Sequence, residues 1–449
     1  MLGRLLLPEI EELVRSRQFR QLKETLSELP VPDLAELISD LEESDLVVVF
    51  RLLSKDVATE VFEYLDFPEQ QALLDSLRGE QIRHILEEMS PDDRTQLLEE
   101  LPPKAAQRLI LMLSPEEREV AQTLLNYPEE SVGRTMTPDY IYLKPTMTVE
   151  QSLAKIRRLG INRETVYALY VIDKDRRLVG TVSLRELVTS PLDATVADVM
   201  EEAVISVPAT MDREEAADLF KKYDLIALPV VDRDGKLLGI VTFDDIMDIV
   251  EREHDEDVQL QAAVLPTEDP YLTAKWSSLV RRRVPWLAGL LVAESGGALL
   301  LSRYEDFLQA EIALALFLPV MIATGGNTGT QSAALVIRAI ATGEVALADG
   351  WKLLAREMAV SAMLALLLGI LSIPLVLFVA PEEPLIAACV GFGLAAIVTI
   401  SNLCGALLPL LFKKLRMDPA LMSGPFIATM MDVVGLYVYL RISMAILLD

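Results

Sequence analysis

Cysteine and histidine are nearly absent, with two of each among 449 residues. Cys389 and Cys404 lie in one apolar stretch, about 22 Å apart along a helix rising about 1.5 Å per residue. A disulfide needs far closer Cα atoms, so neither a disulfide framework nor a cysteine metal site is available. The lack of a His/Cys cluster also argues against zinc or iron handling. His84 and His254 fall in acidic segments with helical periodicity, and no nucleophile–base constellation accompanies them, which argues against an enzyme. Positive charge is scarce as well: 41 Lys/Arg face 68 Asp/Glu, a net charge of −27. Nucleic acid is therefore excluded as a partner, because neutralising phosphates needs an excess of cations. The start, MLGRLLLPEIEEL, turns acidic too soon for a cleaved signal peptide.

What is present is sharply segregated. Residues 271–449 carry 12 basic and 12 acidic side chains, leaving 29 basic and 56 acidic ones for residues 1–270. The excess acid therefore belongs to the N-terminal part, which is expected to face the cytoplasm, and the apolar content concentrates after it.

Residues 1–130 place leucines at helical spacing between short breaks such as YLDFPEQQALL, EMSPDDRTQLL and LSPEEREVAQ. Pro in a first helical turn sacrifices no intrahelical hydrogen bond, and Ser or early carboxylates cap the same end. The expectation is an all-α superhelical stack of short helices, a helical N domain. The next section is duplicated: LYVIDKDRRLVGTVSLRELV (169–188) aligns with LPVVDRDGKLLGIVTFDDIM (228–247) at a constant offset of 59 residues. Each copy reads helix, apolar strand, turn, strand, helix, dividing 131–250 into units of about 131–190 and 191–250. From 244 to 275 a carboxylate-rich connecting helix is expected. Like charges at its i, i+3 and i+4 positions repel unless a divalent cation intervenes.

Residues 276–449 hold five apolar stretches, near 284–302, 312–336, 358–379, 385–411 and 421–447, each about the 20 residues a bilayer crossing needs. Lys/Arg-rich loops alternate with acidic ones, which places the N-terminal part in the cytoplasm and the C-terminus outside. Two features stand out within this multi-pass region. LPVMIATGGNTGTQSAAL (318–335) inserts Gly, Asn, Thr and Gln into the second span, and irregular backbone at that depth is expected to line a wet path. Close packing through Gly326 and Gly329 is the competing reading. The fifth span carries a single acid, Asp432, with no basic residue within two helical turns, and Gly424-Pro425 is expected to break the helix below it.

The duplicated unit resembles a tandem pair of CBS (cystathionine-β-synthase) domains. Such pairs often bind adenosine nucleotides at a Ser/Thr-x-x-Asp following the second strand, which points to ATP at Thr242 and Asp245; Ala168 and Leu225 supply no aromatic platform for adenine. PVMIATGGNTGTQSAALVIRAIATGEV, SNLCGALLPLLFKKLRMDPAL and SGPFIATMMDVVGLYVYL together resemble the MgtE family of magnesium channels and transporters, and NYPEESVGRTMTPDY extends the similarity to the junction of the N domain with the CBS pair. The resemblance implies a homodimer in the cell (inner) membrane, with a cytoplasmic N domain, a CBS pair, a connecting helix and five spans. It also implies a pore on the dimer axis where Asp432 binds hydrated Mg2+, with Gly325, Asn327 and Ala428 near the same path. By the same resemblance, regulatory Mg2+ is expected at Glu60, Asp92 and Asp93, at Asp212, Glu214 and Asp224, at Asp245, Asp248, Glu253, Glu256 and Asp257, and at Asp418. Cytosolic Mg2+ would then close the pore. Gly424 stands where the family often has Asn, so a side-chain ligand there is not expected. Two other readings remain open at this level: an ion-coupled secondary transporter of divalent cations, Co2+ or Mn2+ among them, and a nucleotide-sensing membrane protein.

Overall fold

The computed structural model describes residues 2–160, 163–267, 271, 274–381, 383–422 and 424–448. The chain divides into two compact units, Met1–Val250 and Glu251–Asp449, and the boundary falls inside one helix.

The first unit begins with helices α1 (Leu2–Arg15) through α10 (Pro115–Leu125). Ser114 shows how the breaks work: its Oγ accepts a hydrogen bond from the Glu117 amide at 3.3 Å, with Pro115 opening α10. Helices pack on the next but one, α1 on α3 (Val31–Ser39), α3 on α5 (Lys55–Glu63) and α5 on α7 (Gly79–Glu88). Fully buried Ile10, Leu22, Leu34, Leu37 and Leu86 join one core, each burial stabilising by about 1.5–3 kcal/mol. One cation shares that interior. Arg94, on α8 (Pro91–Glu100), is fully buried, donates to the Leu86 carbonyl at 2.8 Å and pairs with Glu117.

The duplicated segment forms two three-stranded sheets of identical design. Tyr142–Leu143 (β1) runs parallel to Ala168–Ile172 (β2), which pairs antiparallel with Leu178–Ser183 (β3). Val207–Pro208 (β4), Ala227–Val231 (β5) and Leu237–Thr242 (β6) repeat the pattern. Reading two strands per copy from the sequence misses β1 and β4, which are too short to show alternation. The copies join reciprocally: the Leu178 amide donates to the Gly235 carbonyl at 3.0 Å and the Leu237 amide to the Arg176 carbonyl at 3.1 Å. Gly235, at φ +78°, supplies the left-handed turn this exchange uses. Tyr140, Tyr170, Ile172, Ala227, Leu237 and Ile240 seal the seam.

The connecting helix, α16 (Phe243–Gln261), begins directly after β6 and ends earlier than the expected 275. Ala263 takes a left-handed φ of 58° and Pro266 follows, so the chain turns out of the helix there.

The second unit contains α17 (Trp276–Arg303), α18 (Glu305–Ala310), α19 (Ile312–Leu316), α20 (Leu318–Ala341), α21 (Gly350–Val379), α22 (Pro384–Lys414) and α23 (Gly424–Leu448). Among the described residues, α17, α21, α22 and α23 are long and apolar enough to cross a membrane. The polar motif in α20 lowers its apolarity, but its 24 residues still extend about 36 Å. No residue of α17 is buried, and Leu291, Val292 and Leu299 stand exposed.

Two expectations about this unit are corrected. The GGNTGTQ segment does not interrupt its span: α20 is helical throughout. Its glycines serve close packing instead. A Cβ on Gly329 would press on Ile427, and one on Gly405 of α22 would collide with the Gly329 carbonyl oxygen. The polar side chains are accommodated within the helix, as Thr328 Oγ1 donates back to the Thr324 carbonyl at 2.8 Å. Likewise, Gly424 and Pro425 start α23 rather than break a helix, which suits Pro in a first turn.

Candidate cation sites in the two units

In the membrane-type unit, α20 lies between α22 and α23. A Cβ on Gly326 would stand 3.2 Å from Ala428 Cβ and 3.9 Å from Asp432 Oδ1. Gly326 thus brings the backbone of the polar motif against the lone acid of α23. Gly325, the residue singled out in the sequence, faces Ile397, Ser401 and Met431 instead. Asn327 is exposed on the single chain, while Ala428 and Asp432 are half-buried. Glu294 of α17 is near enough to Asp432 for the two like charges to act on each other. Thr330 Oγ1 donates to the Gly424 carbonyl at 3.3 Å, tying α20 to the start of α23.

A second acidic assembly lies in the first unit. Asp92 is buried on α8, and its Oδ1 has no hydrogen-bond partner among the described residues. Burial drives its carboxyl well above the usual range, and Asp245, Asp93 and Glu164 add to the shift. Asp93 Oδ2 accepts the Ser90 hydroxyl at 2.7 Å. Glu63, at the end of α5, accepts the Ser90 amide at 3.0 Å yet is raised to about 7, first by burial and then by Asp93, Glu164 and the more exposed Glu60. Glu164 is also held at about 7, by partial removal from water and then by Asp245, Asp244, Asp93 and Asp139. Asp245 rises to about 6 through burial, although it accepts the Thr242 hydroxyl at 2.5 Å and the Thr242 amide at 3.1 Å. The Thr242–Asp245 pair suggested as a nucleotide contact therefore caps α16.

Carboxylates from α5, α8, the loop before β2 and the start of α16 thus crowd one another, with Arg163 and Arg94 acting on Asp139 at one side. An unpartnered, buried oxygen among like charges is what a hard divalent ion would relieve. Among the described residues, no three or more of these side chains are placed to hold a metal ion. Sequence reasoning included Glu60, Asp92, Asp93 and Asp245 but missed Glu63 and Glu164, whose neighbours are remote in the chain.

The other sequence-singled acids divide. In the second unit Asp257 rises to about 6, mainly by burial and then by Asp418 and Glu253, so these three lie together. Asp418 also caps the turn at Pro419, accepting the Ala420 amide at 2.8 Å. Asp212 caps α15 (Arg213–Tyr223) through the Glu214 amide at 2.8 Å, whereas Asp224 ends the same helix at φ +50°. The structure therefore places Asp212 and Glu214 at the opposite end of an 11-residue helix from Asp224. Asp248 is exposed on α16, and Glu256 is half-buried one turn before its end.

Residues 318–442 match the family model described as MgtE, divalent cation transporter; 10–130 match the MgtE intracellular N domain; 131–193 and 196–252 match the CBS domain. The chain is 41% identical over 319 residues to a magnesium transporter MgtE of Thermus thermophilus, covering 71% of this chain and 70% of that one. Against the magnesium transporter MgtE of Bacillus subtilis it is 36% identical, with 71% and 70% covered. Among solved structures, the cytosolic domain of a Mg2+ channel MgtE in complex with ATP is similar at 38% identity and a TM-score of 0.52, over 54% of this chain and all of that one. The soluble part of a magnesium transporter is similar at 29% identity and a TM-score of 0.52, over 56% and 99%.

Proposed function

The chain belongs to the MgtE family of divalent cation transporters, and from that premise we infer how it carries and regulates its ion. It is a membrane protein that transports Mg2+, with its N-terminal domains in the cytosol. We propose that α17, α20, α21, α22 and α23 are five spans, that the C-terminus lies outside, and that two copies pair to place their Asp432 carboxylates on a shared axis. Together these supply up to two negative charges to a hydrated ion, and Gly326, Asn327 and Ala428 line the path. Mg2+ sheds water reluctantly and prefers few carboxylates with retained waters, which such a route provides. The observation that carries this reading is the close approach of Gly326 and Ala428 beside Asp432.

Closure follows from the second acidic assembly. Cytosolic Mg2+ bridges Glu60, Glu63, Asp92, Asp93, Glu164 and Asp245, joining the N domain to the CBS pair. In the second unit the Asp257–Glu253–Asp418 group, with Glu256 near it in sequence, binds a further ion, while in the first unit Asp248 adds charge on α16 and Asp212, Glu214 and Asp224 add charge on α15. Without Mg2+ these carboxylates repel and the cytosolic elements separate. Several weak sites acting together reach the roughly 5.5 kcal/mol that swings a population from 1:99 to 99:1. ATP is a second candidate ligand through Thr242 and Asp245, supported by the ATP complex of a similar cytosolic domain.

Electrical recording on reconstituted protein tests this reading. Mg2+ current should flow without any coupled-ion gradient and fall as Mg2+ on the cytosolic face rises. Asp92→Asn should raise the closing Mg2+ concentration several-fold. Current that requires a second ion gradient, or that ignores cytosolic Mg2+, contradicts it.

A further inference from the structure

Glu357 takes no part in the ion sites above, yet it places a carboxylate inside the apolar helix α21, two turns from its start. A charge at such a position persists only when other groups hold it. Asn402 of α22 donates through Nδ2 to Glu357 Oε2 at 2.7 Å and to the Glu357 carbonyl at 3.2 Å. Ser332 of α20 directs its single hydroxyl proton between Glu357 Oε2, at 3.3 Å, and the Asn402 carbonyl, at 2.9 Å. Ser332 and Asn402 are only 3% and 4% exposed, so water does not replace these bonds. One carboxylate oxygen therefore ties three long helices into a node.

Its place along α20 gives the node a purpose. Ser332 lies six residues beyond Gly326, about 9 Å along the axis, where α20 touches Ala428 and Asp432. Around this stretch α20 meets its neighbours in part through glycine, Gly325 on Ile397 and Ser401, Gly329 on Ile427 and Gly405 on the Gly329 carbonyl, and in part through the Thr330 bond to the Gly424 carbonyl. Glycine notches let neighbouring side chains and backbone come close without any polar bond of their own. Directional polar bonds are what remain to fix the register.

We propose that Glu357 is a positioning residue for transport, whose bonds to Asn402 and Ser332 hold the glycine-rich helix in register beside Asp432. This rests on the transport reading, and wild-type Mg2+ flux in the same liposomes is the control that separates a failure of that reading from a failure of this one.

The test uses the full chain in liposomes, with maximal Mg2+ flux per reconstituted molecule and half-saturating Mg2+ measured separately. Glu357→Ala removes the acceptor and Asn402→Asp sets two carboxylates face to face. Each should lower maximal flux by about tenfold, as expected for residues sharing one hydrogen-bond network, with half-saturating Mg2+ unchanged. Glu357→Gln keeps an acceptor oxygen in place and should retain most of the flux. The exchanged pair, Glu357→Gln with Asn402→Asp, restores one carboxylate facing one amide and should recover flux to within about threefold of wild type. Ser332→Ala, the mildest change, keeps the comparison open should Glu357→Ala fail to fold, and it should lower flux by about threefold. Wild-type flux in both Glu357→Ala and Ser332→Ala, an inactive Glu357→Gln, or an exchanged pair no better than Asn402→Asp alone would each overturn the proposal.

Discussion

Asp92 holds one buried oxygen without a hydrogen-bond partner among the described residues, while Asp245, Asp93 and Glu164 press on it. Glu63 and Glu164, both raised to about 7, give this crowding a pH signature. A carboxyl with a raised folded-state pKa keeps its proton in the fold after the unfolded chain has released one. The stability contributed by these two groups is therefore fully present below about 4.5, the ordinary glutamate value, and is lost as pH rises to about 7. Without divalent ions, the cytosolic part should become easier to proteolyse between about pH 5 and 8. Saturating Mg2+ should flatten this dependence, because the ion binds the deprotonated carboxylates. A proteolysis rate that is flat with pH in the absence of Mg2+ would refute the cluster's role. No local pattern marks Glu63 or Glu164 as members; their partners arrive from other elements, and only the fold brings them near. Asp432 was legible because a lone acid in an apolar run is costly whatever surrounds it.

At the scale of elements, the 59-residue duplication and the apolar helical character of the second unit could be read from the sequence, since hydrophobic spacing and run length repeat the geometry of strands and helices, and four of its helices are long and apolar enough to cross a membrane among the described residues. The state of the GGNTGTQ segment could not. Glycine suits both a broken helix and a tightly packed one, and the choice depends on Gly405 of α22, 76 residues beyond Gly329. The same packing makes a prediction. Gly405→Ala places a methyl group against the Gly329 backbone, which has no flexible end to yield, and should destabilise the helical unit by about 1–3 kcal/mol. Thermal unfolding of the purified protein in detergent would show this as a lowered midpoint, whereas Gly289→Ala, with open space around it, should leave the midpoint nearly unchanged. Equal midpoints for Gly405→Ala and wild type would mean that α20 and α22 do not approach as described. The end of α16 was nearer the surface of the sequence than the expected 275: the run of acids ends at Asp257 and Pro266 follows, and the left-handed Ala263 turns the chain out between them.

Across the whole molecule, charge and apolarity are divided between the two units, and the boundary falls within α16. Asp245, near the start of α16, belongs to the acidic assembly of the first unit, and Asp257, near its end, belongs to the acidic group of the second. Raising Mg2+ from zero should therefore protect α16 and the helices α5 and α8 from protease together, and Asp92→Asn with Asp245→Asn should abolish that protection. Protection that is unchanged by Mg2+ in the wild-type protein would leave the switch without a basis. The most direct measurement concerns the route itself: Mg2+ uptake by liposomes holding either the wild-type chain or Asp432→Ala, matched for protein content and folded state. The account predicts uptake with the wild type and its loss with Asp432→Ala, and equal uptake by the two would contradict it.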